Sequence, residues 1–304
     1  MKVLITGFGS IGKRHYEVLS SIAEVSQIDL VTKQTVPSTK TYKDLSEIND
    51  WAQYDYFIIS SETYKHYGQL KYISEQIKNK VILVEKPLFD KKYEFFELHN
   101  NKVFIAYNLR FHPVLNKLKV LLSSQTAYYV NVIAGQYLPT WRPEQDYRNS
   151  YSAQINQGGG VLRDLSHELD YVAWLFGDII KIDSINAKIS NLEINSDDLF
   201  TGIGVTDKRC VVNITMDYIS KVPIRQLVVH CENETIFVDM VGSQIKISMD
   251  GKEDCVLEIA KSDRNYTYLQ MHQAIINQDY DNLCNYDSGY KTVELIDNTD
   301  YKEL

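Results

Sequence analysis

The chain has 304 residues, 44% of them hydrophobic and 24% charged, a balance that suits a globular protein with room for two cores. A net charge of -8, with no basic tail or Lys/Arg block, excludes a nucleic-acid backbone as the main partner. No apolar run reaches the roughly 18 residues that span a bilayer, so no membrane partner is expected.

The first predicted strand, Val3 to Thr6, runs into Gly7-Phe8-Gly9-Ser10-Ile11-Gly12, a G-x-G-x-x-G turn that opens a helix. Gly7 suits a sharp turn, Gly9 leaves bare backbone for a pyrophosphate, and Gly12 lets the helix pack closely on the strand. Backbone amides at the helix start, around Ser10 and Ile11, can hold phosphate without a basic side chain. Ile11, Val18, Leu19 and Ile22 are expected to face inward.

The second strand, Gln27 to Val31, ends at Thr32-Lys33. A site for NAD usually has an acid there, on the ribose 2'-hydroxyl; a hydroxyl and an ammonium suit a 2'-phosphate, so the cofactor is expected to be NADP or NAD, with NADP preferred. Further strands are predicted at 55–59, 81–84 and 103–106, with helices near 43–50, 64–78 and 91–100. Alternation of this kind predicts a parallel sheet covered on both sides, with the nucleotide at its carboxyl edge. Ser60-Ser61-Glu62 and Glu85-Lys86-Pro87 follow strands at that edge, which makes Ser60, Glu85 and Lys86 site candidates. A partly dehydrated lysine can donate a hydrogen bond or a proton to a substrate oxygen.

Near residue 107 the rhythm changes. Asn108, Arg110 and His112 lie in a polar and aromatic link before a helix over 114–122 and are expected to line the same cleft, with Asn108 and Arg110 as substrate-binding candidates. Strands are then expected at 128–133, 179–190, 199–206, 210–218, 224–231, 234–239, 244–249 and 254–260, with turns at Gly242-Ser243 and Asp250-Gly251. So few helices intervene that the sheet is expected to be largely antiparallel. A broad sheet must cover both faces, and a second subunit can cover one, so a homo-oligomer is expected. Helices are expected again near 266–278 and 289–298. The boundaries are drawn as a dinucleotide-binding domain over 1–108 and a substrate-binding and oligomerisation domain over 109–304, the last helices being able to pack on the first domain.

Gly158-Gly159-Gly160 leads into a second candidate cluster, read as one helix with Leu165, Leu169, Val172, Ala173 and Phe176 buried. Asp164, His167, Glu168 and Asp170 fall on the other arc, where an imidazole beside a carboxylate can exchange a proton at cellular pH. The bland alternative is a solvated, charged helix face. Adjacent His and Glu side chains diverge on a helix, so no metal is expected. Tyr147 and Arg148, with Arg142 and Tyr151, stand before the glycines and can hold substrate hydroxyls or a phosphate. The 22 tyrosines suit ligand and protein interfaces, or equally reflect a compositional habit of the genome. Cys210, Cys231, Cys255 and Cys284 show neither zinc nor disulfide spacing and the opening residues no secretory signal, so a reducing cytoplasm is expected.

Taken together, these motifs resemble the glucose-fructose oxidoreductase, inositol dehydrogenase and rhizopine-catabolism (Gfo/Idh/MocA) oxidoreductase family over nearly all of the chain. The resemblance rests on Gly7-x-Gly9-x-x-Gly12, Glu85-Lys86-Pro87, Asn108-x-Arg110-Phe111-x-Pro113, and Gly158-Gly159-Gly160 followed by Asp164, His167 and Asp170. It implies an α/β protein: an N-terminal Rossmann dinucleotide-binding domain and a C-terminal α/β domain with an open, mostly antiparallel sheet, often used to form oligomers. By the same resemblance Lys86 matches the lysine beside nicotinamide and substrate, Asp164 the acid of the substrate site, and His167 the proton-transfer histidine. Many relatives separate that acid and histidine by four positions, whereas Asp164 and His167 are three apart, which weakens the role of Asp164. The implied reaction moves a hydride between nicotinamide and a carbinol or carbonyl of a sugar-like substrate, free, activated or modified. Two other outcomes stay open: transient oxidation in a glycosidase, epimerase or dehydratase that retains NAD, and a non-catalytic dinucleotide-binding regulator.

Overall fold

A computed structural model describes residues 1–303. Chain order begins with β1 (Lys2–Thr6), α1 (Ser10–Ser20), β2 (Gln27–Val31), β3 (Thr41–Tyr42), β4 (Tyr56–Ile59), α2 (His66–Gln76), β5 (Val81–Val84) and β6 (Lys102–Ile105). It continues with α3 (Pro113–Leu122), β7 (Ala127–Gly135), α4 (Leu138–Trp141), α5 (Val161–Asp164), α6 (His167–Phe176), β8 (Ile179–Lys188), β9 (Leu199–Thr206) and β10 (Val211–Asp217). Last come β11 (Ile224–Cys231), β12 (Thr235–Asp239), β13 (Gln244–Ser248), β14 (Cys255–Glu258), α7 (Tyr266–Ile276), β15 (Cys284–Asn285), α8 (Tyr286–Asp297) and β16 (Tyr301–Glu303). Two compact units emerge: Met1–Phe111 with Asp263–Glu294, and His112–Ser262 with the residues from Leu295 on.

In the first unit the sheet order is β15-β6-β5-β4-β1-β2-β3, parallel throughout except for β15. Its central strands are buried on both faces, which is why Val3-Leu4-Ile5 and Phe57-Ile58-Ile59 read as unbroken apolar runs. One face packs Leu4, Phe57, Ile59 and Val84 with Leu70 and Ile73 of α2. The other packs Val3, Ile5, Tyr56 and Ile58 with Val18 and Leu19 of α1 and with Met271 and Ile275 of α7. Each such side chain, fully buried, contributes roughly 1.5–3 kcal/mol.

Two predicted helices are corrected. The one expected over 43–50 contracts to a 3-10 turn, Leu45–Glu47, where the Asp44 carboxylate accepts from the Ser46 amide. The one expected over 91–100 is absent. Its apolar residues follow an aromatic layer instead: Tyr93 stacks on Tyr67 with centroids 4.1 Å apart. The Tyr67 and Tyr290 hydroxyls donate to the carbonyls of Glu94 and Tyr93, and His99 and Asn100 hold φ values of 49° and 61°. Side chains from elsewhere thus satisfy backbone groups that a helix would have paired.

The second unit holds a nine-stranded sheet, β14-β13-β12-β11-β7-β10-β9-β8-β16, antiparallel except for the pairs β7/β10 and β8/β16. Strict alternation sorts its faces. Val130, Val132, Val212, Ile214, Leu227 and Val238 are buried, and α3, α5 and α6 pack against strands of this sheet. Ile133, Ile203, Val211 and Phe237 point the other way and are 37%, 56%, 38% and 38% exposed. No helix among the described residues is long and apolar enough to cross a membrane.

Candidate active site

The glycine loop is shaped by exclusion. Gly7 has a φ of +87°, and a Cβ on it would stand 2.6 Å from the Ser61 nitrogen; on Gly12 a Cβ would meet the Gly7 carbonyl oxygen at 2.2 Å. Gly9 is the contrast, with no atom within 4 Å of the Cβ position and φ at -75°. Backbone fills the space at two glycines and leaves it open at the third, beside the exposed Ser10 and half-buried Ile11 that begin α1. Room for an anion at a helix start is therefore built in. The Ser60 hydroxyl is directed at the Thr6 and Gly7 carbonyls, 3.0 and 3.1 Å away, and pins the loop to the end of β4.

Beyond β2, the Thr32 amide donates to the Tyr42 carbonyl, its hydroxyl accepts from Gln34, and Lys33 is exposed. Glu85 and Lys86 follow β5, with a cis peptide between Lys86 and Pro87. Glu85 is 7% exposed; one of its oxygens lies 2.9 Å from His15 Nε2, and the other accepts the Lys86 amide at 3.1 Å. Lys86 is half-buried. His66 ties this turn to the one after β4, with Nε2 3.1 Å from the Ser61 carbonyl and Nδ1 3.2 Å from those of Pro87 and Leu88. Burial lowers the His66 pKa, so the neutral ring donates to one side at a time.

Asn108 and Arg110 are buried and bond within the same unit, Asn108 Nδ2 to the Thr267 hydroxyl at 2.6 Å and Arg110 Nη1 to the Leu283 carbonyl at 3.2 Å. Both fasten the turn after β6 to the returning C-terminal segment.

In the second unit the single expected helix is two, α5 and α6, broken at Leu165-Ser166. The preceding glycines form a packed approach to α5. Gly158 and Gly160 have φ values of +80° and +115°. A Cβ on Gly159 would come 2.1 Å from the Tyr151 carbonyl oxygen, and one on Gly160 2.0 Å from Asp197 Oδ1. Asp197 caps α5, accepting from the Val161 amide on its carbonyl and from the Leu162 amide on its carboxylate. Burial pushes its pKa up to about 6.

The charged arc expected after the glycines is mostly interior. Asp164, Glu168 and Asp170 are 6%, 0% and 2% exposed, and His167, at the first turn of α6, is half-buried. Asp164 Oδ2 accepts from the Ser152 and Tyr218 hydroxyls, each at 2.6 Å. Glu168 pairs with Arg225 at 2.7 Å, a charge that burial alone would not tolerate. Tyr147 and Arg148 lie nearer solvent. The Tyr147 hydroxyl accepts from the Glu193 amide, and Arg148 is held by Asp146 at 2.7 Å and Glu193 at 3.3 Å. Leu138, Trp141, Arg142, Tyr147 and Ser152 line a small pocket beside these residues.

Sequence reasoning missed His15, His66, Ser152, Asp197 and Tyr218. His15 carried the one usable signal, being a polar residue one turn from Gly12 on the inward arc of α1.

A family model described as "Oxidoreductase family, C-terminal alpha/beta domain" matches residues 129–299. An uncharacterized oxidoreductase of Synechocystis sp. is 27% identical over 189 residues, 58% of this chain and 50% of the relative, so the match spans about half of that relative's length. Among solved structures, UDP-N-acetylglucosamine 3-dehydrogenase from Acidithiobacillus ferrooxidans superposes with a TM-score of 0.78 at 15% identity, over 97% of this chain and 95% of that one. A levoglucosan dehydrogenase in complex with NADH gives 0.81 at 14% identity, over 98% and 95%. At these identities the structures share the fold.

Proposed function

The chain belongs to the Gfo/Idh/MocA oxidoreductase family, and from that premise we propose that it is a nicotinamide-dependent oxidoreductase acting on a carbinol or carbonyl carbon of a sugar-like substrate. The observation that carries this reading is the glycine loop, closed by backbone at Gly7 and Gly12 and open at Gly9, at the head of α1. Ser10 and Ile11 offer amides to the phosphates, and Thr32 and Lys33, standing where an acid would bind a ribose 2'-hydroxyl, favour NADPH over NADH. The dinucleotide, when bound, supplies the redox chemistry. Lys86 then stabilises negative charge on the substrate oxygen, and His167 exchanges that oxygen's proton. Asp164, with two hydroxyls on one oxygen, keeps the chain before α6 in place.

A sugar substrate is supported by the relatives: one solved structure is levoglucosan dehydrogenase with NADH and levoglucosan, and another is named for a nucleotide-linked sugar. We further propose a homo-oligomer that mates the open sheet face carrying Ile133, Ile203, Val211 and Phe237, because a second copy would cover these exposed apolar side chains. The test is an absorbance screen of free and nucleotide-linked sugars with both dinucleotides, paired with mass measurement of co-purified small molecules. Net oxidation or reduction of the nicotinamide is expected. Product without net cofactor change would move the assignment to transient oxidation, and dinucleotide binding with no reaction would leave a regulator.

A further inference from the structure

Behind the Lys86 turn, four polar side chains form a continuous buried row within the first unit. Glu85 Oε1 is 2.9 Å from His15 Nε2, His15 Nδ1 is 2.9 Å from His272 Nε2, and His272 Nδ1 is 3.0 Å from the Tyr56 hydroxyl. His15, His272 and Tyr56 are 0% exposed. The four come from four places in the chain: α1, α7, β4 and the end of β5. The reaction proposed above uses none of the last three of this row.

Donor and acceptor chemistry gives the row a direction. Taken as a carboxylate, Glu85 can only accept, so the hydrogen on His15 is at Nε2. In a neutral ring Nδ1 is then an acceptor, and His272 Nε2 must donate to it. His272 Nδ1 accepts in its turn, and the Tyr56 hydroxyl donates. Burial, with His15 nearby, holds His272 well below the ordinary histidine range; burial, with Glu85, holds the Tyr56 phenol well above its own. A neutral His272 and a protonated Tyr56 are what this direction requires.

We infer that His15, His272 and Tyr56 are positioning residues for Lys86, acting through Glu85, an assignment that rests on the function proposed above. His15 holds one carboxylate oxygen while the other accepts the Lys86 amide. The turn that carries the amine is thereby fixed to α1, the helix that the glycine loop opens into. One helix sets the phosphate loop at its first residue and the amine-bearing turn from its interior. His272 and Tyr56 act one step further back, by holding His15 in the tautomer that faces Glu85. A buried row of this kind is costly if any member loses its partner, so its parts act as a unit.

The Lys86 amide gives a readout that needs no substrate. Its hydrogen exchange would be followed in the full chain for the wild type, His272→Leu, Tyr56→Phe and His272→Gln, with amides of β1 as the control for global unfolding. His272→Gln keeps a donor toward His15, whereas His272→Leu removes it and Tyr56→Phe removes the terminal donor. Exchange at Lys86 is expected to quicken about tenfold or more in His272→Leu and Tyr56→Phe, and to stay within about threefold of wild type in His272→Gln. Equal exchange in all four proteins would overturn the inference. In turnover assays the same order is expected in kcat with the dinucleotide KM unchanged, and a changed KM at constant kcat would also overturn it. If neither dinucleotide binds the wild type, the proposed function fails, while the exchange rates still decide whether the row holds Lys86.

Discussion

Gly9 and Gly12 share one turn, yet substitutions at the two are expected to act in opposite ways. A Cβ at Gly12 would press on the Gly7 carbonyl, so Gly12→Ala is expected to lower stability by about 1–3 kcal/mol in denaturant unfolding. Gly9 has open space, an ordinary φ and the N-cap position of α1, which lacks a side-chain cap. Gly9→Asp is therefore expected to leave the fold at least as stable, since Asp is a good N-cap, while setting a negative charge where phosphate approaches. Lys86→Ala and His167→Ala are each expected to cut turnover about 100-fold or more with an unchanged melting temperature. Full activity in either variant would remove that residue from the assignment. The glycine spacing and the Glu85-Lys86-Pro87 turn were legible in the sequence because each is a contiguous pattern. The position of His15 on the inward arc of α1 was a signal, but its role was not legible, because its partner His272 lies 257 positions away.

Among the elements, those whose burial is set by their own periodicity were readable, and those fixed by distant side chains were not. The strands at 27–31, 81–84, 199–206 and 224–231 stand where their apolar patterns put them. The segment over 91–100 has helix-forming residues, but Tyr67 and Tyr290 claim its carbonyls. That Asp164 and Glu168 are interior was not readable, because their partners, namely Ser152, Tyr218 and Arg225, are scattered along the chain. A pH effect belongs at this scale too. His112 caps α3, accepting the Val114 amide on Nδ1, and burial, then Arg225, push its pKa down to about 4 from 6.5. Between those values the folded state binds fewer protons than the unfolded one, so stability present above pH 6.5 is lost as pH falls toward 4. His112→Asn keeps a capping oxygen and does not titrate. On acidification the wild type is expected to lose up to about 3 kcal/mol relative to this variant in urea unfolding. Parallel pH profiles would contradict a buried neutral ring.

At the scale of the molecule, the alternation of strands and helices before residue 107 and its loss afterwards were enough to read a parallel sheet followed by a largely antiparallel one. Which face of the second sheet stays open was not readable, since both faces carry isoleucine and valine. Ile203→Asp, on the exposed face, is expected to convert an oligomer to single chains in sedimentation analysis without unfolding them; an unchanged assembly would place the interface elsewhere. Every role assigned to this chain depends on a nicotinamide dinucleotide held at the glycine loop. Fluorescence titration of NADPH and NADH into the wild type and Gly9→Asp tests it most directly. Saturable binding to the wild type is expected, weakened about tenfold or more in the folded variant. Absence of binding by both dinucleotides, or equal affinity in the two proteins, would rule out a dinucleotide held at this loop.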